Sequence, residues 1–521
     1  MTEMLLCAPS LLEAAALRRT VRGGTVVQTG IGAKATTWAL GDRSVRRAGA
    51  LAVAGIGGGL RPDLAPGDVV VATEVRGADR TIECPSAPLL AAALRRQGLR
   101  VVTGPIVSVD HVVVSPEREE LAATGAICVD MESAGVLAAA HEAAIAAVRV
   151  IADPAGSPLL RPATVGRMAT ALRILPRVGA ALQIWGRAAG PRQVLLAGPR
   201  SFCAGVVRAI DVVELALEQR GAPIYVRKQI VHNKHVVQDL AARGAVFVDE
   251  LDEVPPGATV VFSAHGVSPA VRAEAERRKL DVIDATCPLV QKVHTEVRRF
   301  ADAGDTVIFL GHAGHEEAEG TMGERPANTL LVENTNDART VAVADPDRVS
   351  YIMQTTLAAD EVAELVDILQ ARFPNLREPA SDDICYATTN RQLALAEVAK
   401  DAGLALVVGS NNSSNSQRLV EKAERVGTAA HLIDDVADID LEWLNGVGVV
   451  ALTAGASAPQ ELVDGVIAGL RGLGAVDVLE NGITEEHVQF TLPKEVRHHE
   501  RALAPESADG RVSGRAEDQR Q

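Results

Sequence analysis

Three cysteines stand where apolar or turn-rich stretches give way to helical patterns. They are Cys203 in Ser-Phe-Cys-Ala-Gly-Val, Cys287 in Asp-Ala-Thr-Cys-Pro-Leu-Val and Cys385 in Asp-Ile-Cys-Tyr-Ala-Thr. Between and after them run polar loops: 231–237 (Val-His-Asn-Lys-His-Val-Val), 263–269 (Ser-Ala-His-Gly-Val-Ser-Pro), 311–320 (Gly-His-Ala-Gly-His-Glu-Glu-Ala-Glu-Gly), 354–357 (Gln-Thr-Thr-Leu), 409–416 (Gly-Ser-Asn-Asn-Ser-Ser-Asn-Ser) and 453–459 (Thr-Ala-Gly-Ala-Ser-Ala-Pro). By spacing alone the cysteines read as core residues, since no Cys-x-x-Cys run of the zinc or ferredoxin kind occurs and cysteine is among the most buried residue types. Ser/Asn runs alone read as solvated turns. Context shifts both readings. A thiolate at a helix start is stabilised by unpaired N–H groups and the helix dipole. Several histidines after strand ends fall at the edge where α/β proteins bind ligands. Thiolates together with neutral hydrogen-bond donors point to a metal cluster facing an anion.

The elements that must position these groups are βα repeats. Apolar strands at Thr259–Ser263, Thr306–Leu310 and Leu404–Gly409 alternate with Ala/Leu/Glu/Arg helices, which predicts parallel sheets. A turn-prone break at 188–193 separates an N-terminal domain (1–187) from a second part (194–490). Three strand–Cys–helix units begin near 194, 281 and 381, compatible with three α/β lobes that each offer one thiolate. The last stretch, 491–521, is charged, lacks apolar periodicity and is expected to be disordered.

At 521 residues the chain exceeds a single core. Its net charge of −15 and 2% aromatic content argue against nucleic acid and anionic membranes as partners, so an anion site has to be built locally from donors and helix N-termini. Six cysteines in this length make no disulfide framework. No basic leader precedes the first apolar stretch, which Glu13 interrupts, and no apolar run reaches the ~20 residues that span a bilayer. The expectation is a cytoplasmic protein with reduced thiols.

The cysteines and all six loops, in this order across about 194–490, resemble the 4-hydroxy-3-methylbut-2-enyl diphosphate reductase family, which performs the last step of the methylerythritol phosphate route to isoprenoids. The resemblance implies a three-lobed, pseudo-threefold α/β fold around a central 4Fe–4S cluster held by Cys203, Cys287 and Cys385, with one iron left open for substrate. It implies diphosphate binding by His232, His265, His315, Ser413, Ser414, Asn415 and Ser457. Glu317 would deliver protons, with Thr355 aligning the substrate hydroxyl and Glu317. Ser201 stands where the family commonly has Gly, and Glu316 where it commonly has Pro. The chemistry is intelligible on its own terms: removal of an allylic hydroxyl needs a Lewis acid, electrons and a proton source. Without a Gly-x-Gly-x-x-Gly fingerprint for nicotinamide in this part, electrons are expected from a ferredoxin or flavodoxin. The alternative from another class is a cluster-bearing redox sensor or diphosphate-binding regulator without turnover.

In residues 1–187 the stretches Thr-Gly-Ile-Gly-Ala-Lys-Ala-Thr (29–36), Gly-Ile-Gly-Gly-Gly-Leu-Arg-Pro-Asp-Leu-Ala-Pro-Gly-Asp-Val-Val (55–70), Val-Asp-Met-Glu-Ser-Ala (129–134) and Arg-Val-Ile-Ala-Asp (149–153) are the informative ones. The glycine loops read equally as anion cradles and as tight turns. Together the stretches resemble the nucleoside phosphorylase/nucleosidase superfamily. That resemblance implies that Met131 and Glu132 face a ribose and that Asp153 protonates a leaving base, with Glu13 a looser candidate. Ala152 stands where the family often has Ser. Cys7, Cys84 and Cys128 read as structural. Catalytic and purely docking or regulatory roles both stay open for this domain.

Overall fold

The computed structural model describes residues 3–140, 143–156 and 162–497. In the N-terminal part, β1 (Met4–Ala8), β2 (Thr25–Gln28), β3 (Ala50–Gly59), β4 (Val69–Arg76), β5 (Thr81–Glu83), β6 (Val101–Ser108), β7 (Cys128–Asp130) and β8 (Ala144–Asp153) form one mixed sheet. β8 pairs with both β3 and β4, so β3, β7, β6, β4 and β8 close into a ring. Small residues permit the closure: a Cβ at Gly57 would lie 2.8 Å from Cys128 Sγ. The glycines of 55–59, expected as a loop after a strand, are therefore the end of β3 itself. Cys7, Cys84 and Cys128 are buried in this core.

The second part opens on β9 (Arg192–Gly198). Its first lobe carries β10 (Ile224–Arg227), β11 (Ala245–Val248), β12 (Thr259–Phe262) and β13 (Asp281–Asp284) in the order β11-β10-β12-β13. The second carries β14 (Thr306–Leu310), β15 (Thr329–Val332) and β16 (Val349–Met353) in the order β15-β14-β16. The third carries β17 (Leu404–Val408), β18 (Ala430–Ile433), β19 (Val449–Ala454) and β20 (Val476–Gly482), and β9 joins it in the order β18-β17-β19-β9-β20. Every strand pair in these three sheets is parallel, so the carboxyl ends of each sheet's strands share one edge, the edge at which open α/β sheets take ligands.

Three further sequence expectations differ from the structure in the second part. Arg192 and Gln193, expected in the linker, already pair in β9, where Arg192 N donates to Ala475 O and Gln193 N to Gly448 O, both 2.8–2.9 Å. Cys385 has no strand before it. Pro379 lacks an N–H, the following Ser-Asp-Asp is polar, and only an isolated bridge, Ser350 to Arg377, marks that segment. Of the stretch expected to be disordered, 491–497 is packed: Thr491 O accepts from Arg208 Nε at 2.9 Å and Val496 is buried. The remainder, 498–521, lies outside the described residues.

The two parts share one apolar core. Leu89 and Leu90, on the helix Ala87–Arg96, and Trp185, on the helix Pro162–Ala188, cluster with Ile439, Leu441, Val463, Ile467 and Leu470 of the third lobe. Arg96 Nη2 donates to Ile439 O at 2.8 Å. Backbone meets backbone where the chain allows no side chain, since a Cβ at Gly472 would lie 2.2 Å from Ser86 N. Gly472→Val is accordingly expected to destabilise the protein by about 1–3 kcal/mol through overpacking. It should split a single calorimetric transition into two. A single transition at the wild-type temperature would mean that the seam tolerates the side chain.

Candidate active site

Each of the three cysteines is the residue that caps a helix: Cys203 before Ala204–Arg220, Cys287 before Pro288–Asp302 and Cys385 before Tyr386–Ala399. All three line one cavity of about 110 Å³. A Cβ at Gly205 would sit 2.8 Å from Cys287 Sγ and 3.8 Å from Cys203 Sγ, so these two sulfurs meet over a residue that has no side chain. Burial pushes the Cys287 thiol up to about 12 and the Cys385 thiol up to about 11, and nearby Cys203 adds to both. Thr388 N donates to Cys385 Sγ at 3.3 Å, and Thr388 Oγ1 lies 3.1 Å from it. Three converging soft donors with hydrogen-bond support suit an iron–sulfur group.

The same cavity is lined by His232, His265, His315, Glu317, Thr355, Ser413, Ser414, Asn415 and Ser457, so the structure brings together the candidate substrate-binding and proton-transfer residues of the second part; Ser201 and Glu316 do not line it. Ser413 caps the helix Ser414–Arg425, and the first residues of that helix open onto the cavity, a favourable seat for an anion. Ser457 Oγ donates to His232 O at 2.9 Å and lies 3.5 Å from Ser413 Oγ. Asn415 ties two walls together: its Nδ2 donates to Thr388 Oγ1 and its Oδ1 accepts from Ala456 N, each at 3.0 Å.

The imidazoles form a cluster. His232 and His265 stack with centroids 4.0 Å apart, and His315 meets them edge-on at 5.3 and 5.9 Å. Burial pushes His232 down to about 2, His315 to about 3 and His265 to about 4. Hydrogen bonding then fixes the neutral tautomers. His315 Nδ1 accepts from Glu317 N at 3.1 Å and His232 Nδ1 from Asn412 Nδ2 at 3.3 Å, which leaves an Nε2–H donor on each. His265 is different. Its Nδ1 lies 3.0 Å from Glu316 Oε2, whose pKa burial raises; when Glu316 is a carboxylate the ring donates from Nδ1 and its neutral Nε2 is an acceptor. The Glu at 316 thus sets one histidine against the other two.

Glu317 is 1% exposed. Its Oε1 accepts from Thr355 N at 2.7 Å and its Oε2 from Thr355 Oγ1 at 3.0 Å. Burial nonetheless raises it to about 7, outweighing both bonds. Four further polar or aromatic lining residues escaped the sequence reading. Thr356, whose Oγ1 donates to Ser414 Oγ at 3.0 Å, and Thr388 both lay inside motifs already noted. Tyr386, whose hydroxyl accepts from Ala204 N, directly follows a cysteine. Phe490 comes from a segment with no sequence signal.

In the N-terminal part, Met131, Glu132 and Asp153 line a second cavity, about 260 Å³, together with Gly57, Gly58, His111 and Arg118. Glu132 Oε2 is 3.0 Å from the wholly buried Arg149, and burial raises Glu132 above its usual range. Asp153 Oδ2 is 2.7 Å from Arg118 Nη1, and Arg118 Nη2 also donates to Asp153 O and Gly59 O. Glu13 is not brought to this cavity. Its Oε2 caps Ser10 N and its Oε1 accepts from Ile56 N, so it is spent on holding a helix to β3.

The LytB protein family matches residues 194–471. The chain belongs to that family. A Mycobacterium bovis 4-hydroxy-3-methylbut-2-enyl diphosphate reductase is 58% identical over 60% of this chain and 96% of its own length. The Leifsonia xyli reductase is 57% identical over 59% and 92%. The solved Plasmodium falciparum E-1-hydroxy-2-methyl-but-2-enyl-4-diphosphate reductase is 38% identical, with a TM-score of 0.58 over 60% of this chain and 99% of that one. Residues 19–178 match the Phosphorylase superfamily. Family members are iron–sulfur enzymes. Among the described residues no helix is long and apolar enough to cross a membrane.

Gly205→Ala places a methyl group against Cys287 Sγ. Anaerobically purified variant protein is expected to retain about tenfold less iron and sulfide, the scale seen when a ligand's support is disturbed. Full iron content would show that the sulfurs do not need the space.

Proposed function

We propose that residues 194–490 reduce 4-hydroxy-3-methylbut-2-enyl diphosphate to isopentenyl and dimethylallyl diphosphates, consuming two electrons and two protons and releasing water. The observation that supports this most is a buried carboxyl, Glu317, poised near neutrality and pinned by Thr355 in the cavity that the three cysteines line. A 4Fe–4S cluster held by Cys203, Cys287 and Cys385 would supply the electrons and one iron open to the substrate hydroxyl. The His232 and His315 Nε2–H groups, the hydroxyls of Ser413 and Ser414, the Ser457 hydroxyl once it turns from His232 O, the free amide hydrogen of Asn415 and the N-terminus of the helix Ser414–Arg425 hold the diphosphate. Thr355 turns its hydroxyl between Glu317 and the substrate alcohol. Glu317 carries a proton at and below neutral pH and gives it to the departing oxygen, which leaves as water. Burial keeps bulk water from competing for that proton. Electrons would come from a ferredoxin- or flavodoxin-type donor.

A sensor without turnover has no use for a protonated buried carboxyl. Glu317→Gln is expected to lower the reduction rate by about 10²–10⁴-fold with iron content unchanged. An unaltered rate would remove Glu317 as the proton source. Because the useful form of Glu317 is protonated and its pKa is raised to about 7, the wild-type rate should fall as pH rises through about 7. A rate that climbs across that window would contradict the assignment.

The N-terminal cavity favours binding without cleavage. The candidate acid, Asp153, is clamped by Arg118, Nη1 to its Oδ2 and Nη2 to its backbone O, both at 2.7 Å, so its side chain is engaged by the protein rather than free for a ligand. With a panel of nucleosides and stoichiometric protein, chromatography is expected to detect no released base. Turnover that Asp153→Asn abolishes would restore the acid role.

A further inference from the structure

Between the two parts lies a third cavity, about 490 Å³, in the size range of small-molecule sites and at the kind of boundary where they concentrate. One wall is N-terminal and includes Arg22, Gln183 and Arg187. The other is formed by Arg192 and the loop 444–448 of the third lobe. Three arginines line it, and no aspartate or glutamate does. In a chain with net charge −15 this is a local inversion of sign.

Arg192 is the strongest sign of a missing partner. It is 6% exposed, and a buried charge ordinarily has a counter-ion. Among the described residues Arg192, Arg22 and Arg187 make no ion pair. Arg192 donates to three carbonyls, Ala188 O, Gly190 O at 3.1 Å and Leu444 O at 3.3 Å, while its Nε has no partner. Burial with no offsetting acid pulls the guanidinium down to about 10. Clamping the end of the helix Pro162–Ala188 explains the carbonyl bonds. It does not explain the unpaired charge, the orphaned Nε, or two more unpaired arginines on the opposite wall. Gln183 and Arg187 lie one helical turn apart, and Gln183 Nε2 donates to Arg22 O, so the two exposed arginines are brought side by side. Glu442 lines an adjoining smaller pocket that Arg187 and Asn445 also border, and among the described residues it makes no ion pair with Arg187.

We propose that this junction cavity binds a polyphosphate, a small molecule with two or more linked phosphates, whose charge answers Arg22, Arg187 and Arg192 from both sides of the seam. A single phosphate would match neither the three cations nor the volume. The guanidinium forks of Arg22 and Arg187 suit phosphate oxygens, bonding them in pairs, while Arg192, its Nη groups held by carbonyls, contributes charge. The ligand touches both parts at once, so it would tighten their contact.

Equilibrium dialysis of the full-length iron–sulfur protein against labelled inorganic pyrophosphate tests this, with a parallel arm using ADP. Pyrophosphate is expected to bind at two sites per chain, one catalytic and one at the junction. Arg22→Gln with Arg187→Gln, both exposed and therefore safe for folding, should abolish one equivalent or weaken it more than about tenfold, with the reduction rate unchanged. The Ser413→Ala variant should weaken the other. One equivalent in the wild type, indifferent to the arginine changes, overturns the proposal. One equivalent that the arginine changes remove supports it and counts against the reductase reading of the catalytic cavity. ADP binding lost in the double variant would support a nucleotide as the source, and its absence beside pyrophosphate binding would support a simple diphosphate. Equal displacement by sulfate at the same concentration would overturn the polyphosphate class.

Discussion

The reductase half depends on one constraint: three helices must begin at the same place. Each cysteine is the cap of its helix, and each helix brings to the centre the N–H groups that its own first turn leaves unbonded. Three parallel sheets can meet this requirement only with their carboxyl edges turned inward, and the polar loops then have to crowd the same space. The closeness of Gly205 to two sulfurs measures how little room is left. The constraint also explains why the first strand of the second part belongs to the last lobe. β9 must end beside β19 and β20 so that Cys203 emerges toward Cys287 and Cys385.

Much of this was legible because chemistry leaves short, unusual strings. Cysteine before Ala-Gly or Pro, His-x-x-His beside two acids, and a Ser/Asn run after an apolar strand are each hard to explain by packing alone. What was not legible depended on distance along the chain. Nothing local to Arg118 says that it will reach Asp153, 35 positions on, and nothing in Glu13 says that it will close on the backbone of Ile56. Phe490 lies beyond the last periodic helix, and only folding brings it over the cavity. The missing strand before Cys385 could have been read from Pro379 and the acids after it, had the apparent threefold echo not suggested symmetry.

Glu316 shows how a neighbour can alter a site without touching the reacting atoms. Its carboxylate takes the Nδ1 proton of His265, so that ring presents a lone pair where its two partners present hydrogens. A diphosphate held by all three requires one more proton on the His265–Glu316 pair, so that His265 Nε2 can donate as well. The family's usual proline could not act in this way.

The seam between the two parts has a consequence for any attempt to divide the chain. Leucines that would face water on a free-standing nucleosidase-like domain, and the glycine-lined edge of the third lobe, have become a single interior. Cleaving such a polypeptide would not give two self-sufficient domains. It would expose two matching adhesive faces, so each half carries a surface that water tolerates only while the other half covers it.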